Sequence, residues 1–192
     1  MSENKVIGSL VLRTIDIDPT RGAPINNNNF PPFENEYGIH AANSYVITWK
    51  NINLRTCLGE LYYKYHRFSL KLTAFQNRSA GTETDTNCVV YMSGLPFSSG
   101  SGYNTKLGPT NQVSIGCVPF LGPSSFSTGI TTPILSGLAS FDKPLQNTFD
   151  ITIELKNSST LTTNSLINGY SEKGQFPIGH WSIMCDIYGI EK

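Results

Sequence analysis

A chain of 192 residues balances 14 Lys and Arg against 14 Asp and Glu, and only 15% of its residues are charged. That length suits one domain whose core needs neither disulfide nor metal. Zero net charge, with no Lys/Arg run at either end, argues against direct nucleic-acid binding, which takes a basic face to neutralise phosphates.

The opening "MSENKVIGSLVLRT" has too short an apolar run and too polar a lead for a signal peptide. No stretch approaches the roughly 20 apolar residues of a transmembrane segment. The chain is therefore expected to be soluble and made inside the cell, with reduced thiols. Cys57, Cys88, Cys117 and Cys185 lie in apolar or strand-like runs, with no pair at CxxC spacing. They read as small buried hydrophobes rather than disulfide partners or zinc ligands.

Most of the apolar pattern has period two, the sign of half-buried strands. The first strand is expected over residues 5–14. Residues 16–44, "DIDPTRGAPINNNNFPPFENEYGIHAANS", hold Pro19, Pro24, Pro31, Pro32 and four consecutive Asn. They read as one long loop, and loops of this length are often functional. Residues 45–50 form the second strand. A short helix follows, with Leu54, Leu58, Leu61, Tyr62 and Tyr65 at helical spacing, Asn53 as its cap and Gly59 weakening it.

The third strand covers residues 67–76, with Phe68, Leu70, Leu72 and Ala74 on one face and Ser69, Lys71 and Thr73 on the other. Strands follow over 87–95 and 112–120. A weaker sixth over 130–138 is demoted to an edge by Pro133. Residues 148–156 and 180–190 complete the set. Trp181, Ile183, Phe149, Ile151, Ile153, Phe68, Leu70 and Leu72 are the expected core. The expected fold is all-β: a single eight-stranded antiparallel jelly-roll sandwich over residues 1–192, with one short helix between the second and third strands. That helix would cover the open end of the sandwich where the chain crosses between sheets.

The segment "ITWKNINLRTCLGELYYKYHRFSLKL" (residues 47–72) resembles minor capsid and penton-type proteins of large icosahedral double-stranded DNA viruses. The closing "GHWSIMCDIYGIEK" is similar too, and the other segments match by strand order alone. The resemblance implies a structural protein of the virion, assembled in the host cytoplasm. It implies a homopentamer closing a fivefold vertex, flanked by trimers of a major capsid protein and by other minor capsid proteins. With strands for only one barrel, the chain does not fit the double jelly roll of a major capsid protein.

Catalytic patterns are missing from the sequence. His40, His66 and His180 are scattered, and Cys57 and His66 would face different sides of the helix. There is no GxSxG, HExxH or P-loop. No enzymatic activity, cofactor or metal is expected. Asp16, Asp18, Glu34 and Glu36 read as solvated turn residues rather than a calcium site. The acceptor patterns at Asn77 and Asn157 read as chance in an Asn/Ser-rich chain. Many Tyr and Phe with little charge describe a surface meant to be covered by protein. The expected contacts lie in loops: Asn27, Asn28, Phe30 and Tyr37 in the long one, Gly100, Gly102 and Tyr103 in "GSGYNT". The other readings are a lectin-like or receptor-binding module, a cement protein, or a metal-dependent cupin for which the histidines are too few.

Overall fold

Alternation along "TFDITIELK" and "HWSIMCDIY" puts every second side chain on one face, and two such faces need each other to leave water. The computed structural model describes residues 5–16, 25–26, 33–34, 38–40, 46–77, 86–99, 112–120, 131–158, 177–178 and 181–190. In chain order the strands are β1 (Lys5–Arg13), β2 (Ile25–Asn26), β3 (Phe33–Glu34), β4 (Gly38–His40) and β5 (Val46–Ile52). Helices α1 (Leu54–Leu58) and α2 (Leu61–Lys64) follow. Then come β6 (Arg67–Asn77), β7 (Thr86–Ser93), β8 (Phe97–Ser99), β9 (Val113–Phe120), β10 (Leu135–Ser136) and β11 (Leu138–Asp142). The last are β12 (Phe149–Asn157), β13 (Pro177–Ile178) and β14 (Trp181–Ile190).

The fold is all-β, in two antiparallel sheets with few helices. One sheet has the order β1-β14-β6-β11-β8, and the other β10-β9-β7-β12-β5-β4-β3. A separate ladder pairs β13 with β2. It ties the long connection after β1 to the one after β12. One cluster of buried side chains draws on both sheets and both helices. Each of the eight expected core residues is buried. Trp49 of β5 fastens the sheets together. Its Nε1 donates to the Arg13 carbonyl at 3.1 Å, and its ring meets Trp181 edge-on at 5.7 Å.

Residues 16–44 are not the single loop expected, because β3 and β4 within them extend the seven-stranded sheet beyond β5. Three further expectations need correction. The sixth strand is not at 130–138. Residues 135–136 pair with β9 in one sheet, whereas Leu138–Asp142 pairs with β6 in the other. Burial decides this: Ala139 and Phe141 are the residues that go inside, and Ile134 and Leu135 stay exposed. The strand that does form within 130–138, β10, lies at a sheet edge as expected, whereas β11 lies between β6 and β8. Second, Ala74 does not share the inner face with Leu72. Leu72 pairs with Cys185 and Ala74 with Met184, so Thr73 is an extra residue, a β-bulge that reverses the alternation. Phe75 takes the inward place and stacks on Trp181 at 6.3 Å. The Thr73 hydroxyl donates to the Met184 carbonyl at 3.1 Å across the bulge.

Third, the single helix is two. Asn53 caps the first as expected, accepting from the Thr56 N–H at 3.2 Å. Gly59, at φ 56° and ψ −134°, then ends it. The break shifts the helical phase, so Leu58, Tyr62 and Tyr65 are buried but Leu61 is 39% exposed. Two glycines in the strands beneath make room for the helices. A Cβ on Gly8 would sit 2.6 Å from Leu58 Cδ2, and one on Gly189 would sit 2.7 Å from the Tyr65 ring.

Candidate interaction surfaces

The residues expected at subunit contacts, Asn27, Asn28, Phe30, Tyr37, Gly100, Gly102 and Tyr103, lie outside the described residues. Two described strands adjacent to them in sequence, β3 and β8, lie on different margins. β3 edges the seven-stranded sheet beyond β5, on the side where Trp49 reaches β1. β8 edges the five-stranded sheet beyond β11, on the side where β9 packs against β6 and β11. These are the two lateral sides of the sandwich.

Each side also exposes apolar side chains that polar residues would normally replace. On the β1 margin Val6 and Val11 are about half exposed, at 47% and 51%. Their cross-strand partners Tyr188 and Met184 extend the same face. On the β9/β11 margin the chain passes from one sheet to the other through Ile134, Leu135 and Leu138, all exposed. The Ile134 N–H is held by the Cys117 carbonyl at 2.8 Å, so this segment is fixed. Loop composition drew attention away from both margins. The signal was present in "LVL", where Val11 is apolar on the face opposite Leu10 and Leu12.

Several polar side chains on the outer face of the seven-stranded sheet bond one another. Gln112 Nε2 donates to Glu154 Oε2 at 2.7 Å, Lys156 Nζ lies 3.5 Å from the same oxygen, and that ammonium sits 4.7 Å above the Tyr91 ring. Thr48 and Thr152 share a hydroxyl bond of 2.8 Å between neighbouring strands. Such a network pins neighbouring strands together.

The four cysteines are free thiols. Burial pushes Cys88 and Cys117 up, and pushes Cys185 up to about 12. Partial burial raises Cys57 as well. A nucleophilic thiol needs the opposite shift. Asp16 is held by Arg13 through bonds of 3.0 and 2.7 Å, as a turn residue would be. Asp18 and Glu36 lie outside the described residues. Asn77 is buried within β6, which leaves no room there for a glycan. Among the described residues no three His, Cys, Asp or Glu side chains converge on a common point.

No family model and no curated protein matches this chain. Among the described residues no helix is long and apolar enough to cross a membrane. Among the described residues, exposed apolar side chains mark two margins of different composition on opposite sides of the sandwich.

Proposed function

We propose that this chain is a non-enzymatic jelly-roll shell subunit of an icosahedral double-stranded DNA virus, the penton that forms homopentamers at the vertices. Strand order supports the jelly roll. Counting only the strands of five or more residues, β1, β5, β6, β7, β9, β11, β12 and β14, the sheets run first-eighth-third-sixth and second-seventh-fourth-fifth. Two nested Greek keys have this order. The six shorter strands are additions at edges and in connections.

The observation that carries the assembly reading is the pair of unlike apolar margins. A closed ring is built from heterologous contacts, in which two different faces of each subunit meet. Val6, Val11 and Met184 on one copy would meet Ile134, Leu135 and Leu138 on the next. Zero net charge puts little repulsion between copies. In the virion the outer rim of the ring would face trimers of a major capsid protein and other minor capsid proteins, with no contact to the genome.

Native mass spectrometry of the purified chain tests this directly. Rings of five are expected, and Leu135→Asp should release folded monomers. A wild-type chain that stays monomeric at high concentration would overturn the reading. The second reading is a lectin-like or receptor-binding head. It is favoured by the β2–β13 ladder, which joins two long connections at the end of the sandwich away from the helices. Glycan binding by a low-order oligomer would support it.

A further inference from the structure

At the helix end of the sandwich, the turn between β11 and β12 holds up a leucine that no described residue covers. Leu145 is fully exposed, and Leu61 and Tyr63 on α2 are 39% and 50% exposed. A scattered exposed leucine is ordinary. This one is held in place from both preceding residues. The Lys143 N–H donates to the His66 carbonyl at 2.8 Å, and the Tyr62 hydroxyl donates to the Pro144 carbonyl at 3.2 Å. The projection of Leu145 is therefore fixed by the fold.

Cations ring the same corner. Lys143 Nζ lies 4.4 Å above the Tyr62 ring and 5.1 Å above that of Tyr63, the Arg55 guanidinium lies 5.1 Å above Tyr63, and Lys64 Nζ lies 5.7 Å from Tyr65. No carboxylate among the described residues comes within 4.0 Å of Arg55, Lys64 or Lys143. Arg67 adds a fourth cation, 3.6 Å from Asp142. A chain of zero net charge thus gathers Arg55, Lys64, Lys143 and Arg67 around an apolar tip, with Asp150 at this end taken up by the Asn51 N–H at 3.0 Å.

From this arrangement we propose that the helix-end corner docks on an anionic lipid surface, with Leu145, Leu61 and Tyr63 entering the headgroup boundary and Arg55, Lys64 and Lys143 meeting lipid phosphates. Convexity favours a membrane over a protein partner. A projecting leucine needs a matching pocket in a rigid partner, but a fluid bilayer closes around it. Tyrosines with neighbouring Lys and Arg are the side chains that settle at a membrane–water boundary, ring inside and polar tip out. A small soluble anion is disfavoured because the cations stand on the surface over ring faces and converge on no cavity. The proposal is independent of ring formation, since it uses the end of the sandwich and not its margins.

Vesicle sedimentation of the full chain tests it, comparing pure phosphatidylcholine with phosphatidylcholine containing about one-third phosphatidylserine. Binding to the anionic vesicles, weakened by salt and by omission of phosphatidylserine, is expected. Leu145→Ser should lower partitioning roughly ten-fold and Lys143→Gln about five-fold. Both sites are on the surface, so unchanged thermal unfolding would show that the variants are folded. Absence of binding, equal binding to the two vesicle types, or undiminished binding by Leu145→Ser would overturn the proposal. So would capture of polyglutamate without vesicle binding, which would assign the corner to an acidic protein segment. A change of oligomeric state in Leu145→Ser, again without vesicle binding, would assign it to a contact between copies.

Discussion

Cys185 is the residue whose chemistry is most changed by its surroundings. It sits in the core with its thiol pushed from 9.0 up to about 12, first by burial and then by the neighbouring Asp186 carboxylate. The folded state thus keeps a proton that the unfolded chain releases above pH 9. Stability from this group is complete below pH 9 and falls as pH rises from 9 towards 12, by up to about 1.4 kcal/mol per pH unit. Urea midpoints measured across that window should decline in the wild type and decline less in Cys185→Ala. Cys88, raised for the same main reason, adds to the fall. Ellman's reagent on the native protein should label Cys57 first, since it alone of the four is exposed. The other three should react only on unfolding. Rapid native labelling of two or more thiols would contradict the burial described here. That cysteines in apolar runs are buried was legible in the sequence. The exposure of Cys57 was not, because it depends on which side of a one-turn helix meets β1.

At the scale of elements, α1 rests on β1 through a single tight fit of Leu58 over Gly8. Gly8→Ala should cost about 1–3 kcal/mol through overpacking against that leucine. Leu58→Ala should cost about 2–5 kcal/mol by leaving a cavity. The double variant should be more stable than the two losses added together, because the new methyl enters the space the leucine vacates. Denaturant unfolding of all four proteins measures the coupling, and simple additivity would mean that the two residues do not touch. Period-two alternation made the long strands readable, since a sheet with one buried face imposes it on the sequence. It failed in three places for physical reasons. The bulge at Thr73 swaps faces within one strand. Strands of two or three residues have no period to read. In "TTPILSGLASF" Ile134, Leu135 and Leu138 sit outside and only Ala139 and Phe141 go inside, so hydrophobicity alone put the sixth strand too early.

For the molecule as a whole, the sequence revealed the layering of strands but not the surfaces. Composition pointed to the Asn-rich and Gly-Ser loops, whereas the exposed apolar side chains of the described residues lie on two margins and at one corner. Exposure is a property of the finished assembly of sheets, and Val11 and Leu12 differ in it entirely while being equally apolar. If the margins meet in a ring, exchanging charge across them should be diagnostic. Val11→Lys and Leu135→Glu should each weaken oligomers, and mixing the two variants should restore association, through a lysine–glutamate contact at each junction where the Lys variant's Val11 margin meets the Glu variant's Leu135 margin and the native contact at the reciprocal junctions. Size-exclusion chromatography with light scattering checks this, and failure of the mixture to reassociate would place the contact elsewhere.

β14 lies between β1 and β6, paired with both along nearly its whole length. On a ribosome, the strand synthesised first among those described therefore waits for its only partner until the last one emerges. Until then the place between β1 and β6 is an open slot flanked by two unsatisfied backbones, able to accept any extended segment. Closure by so distant a contact makes for slow folding. A nascent chain halted before residue 181 should accordingly be protease-sensitive and bind holdase chaperones. Releasing a chain that includes residue 190 should abolish both at once, making the pairing of β14 the step that commits the five-stranded sheet to its shape.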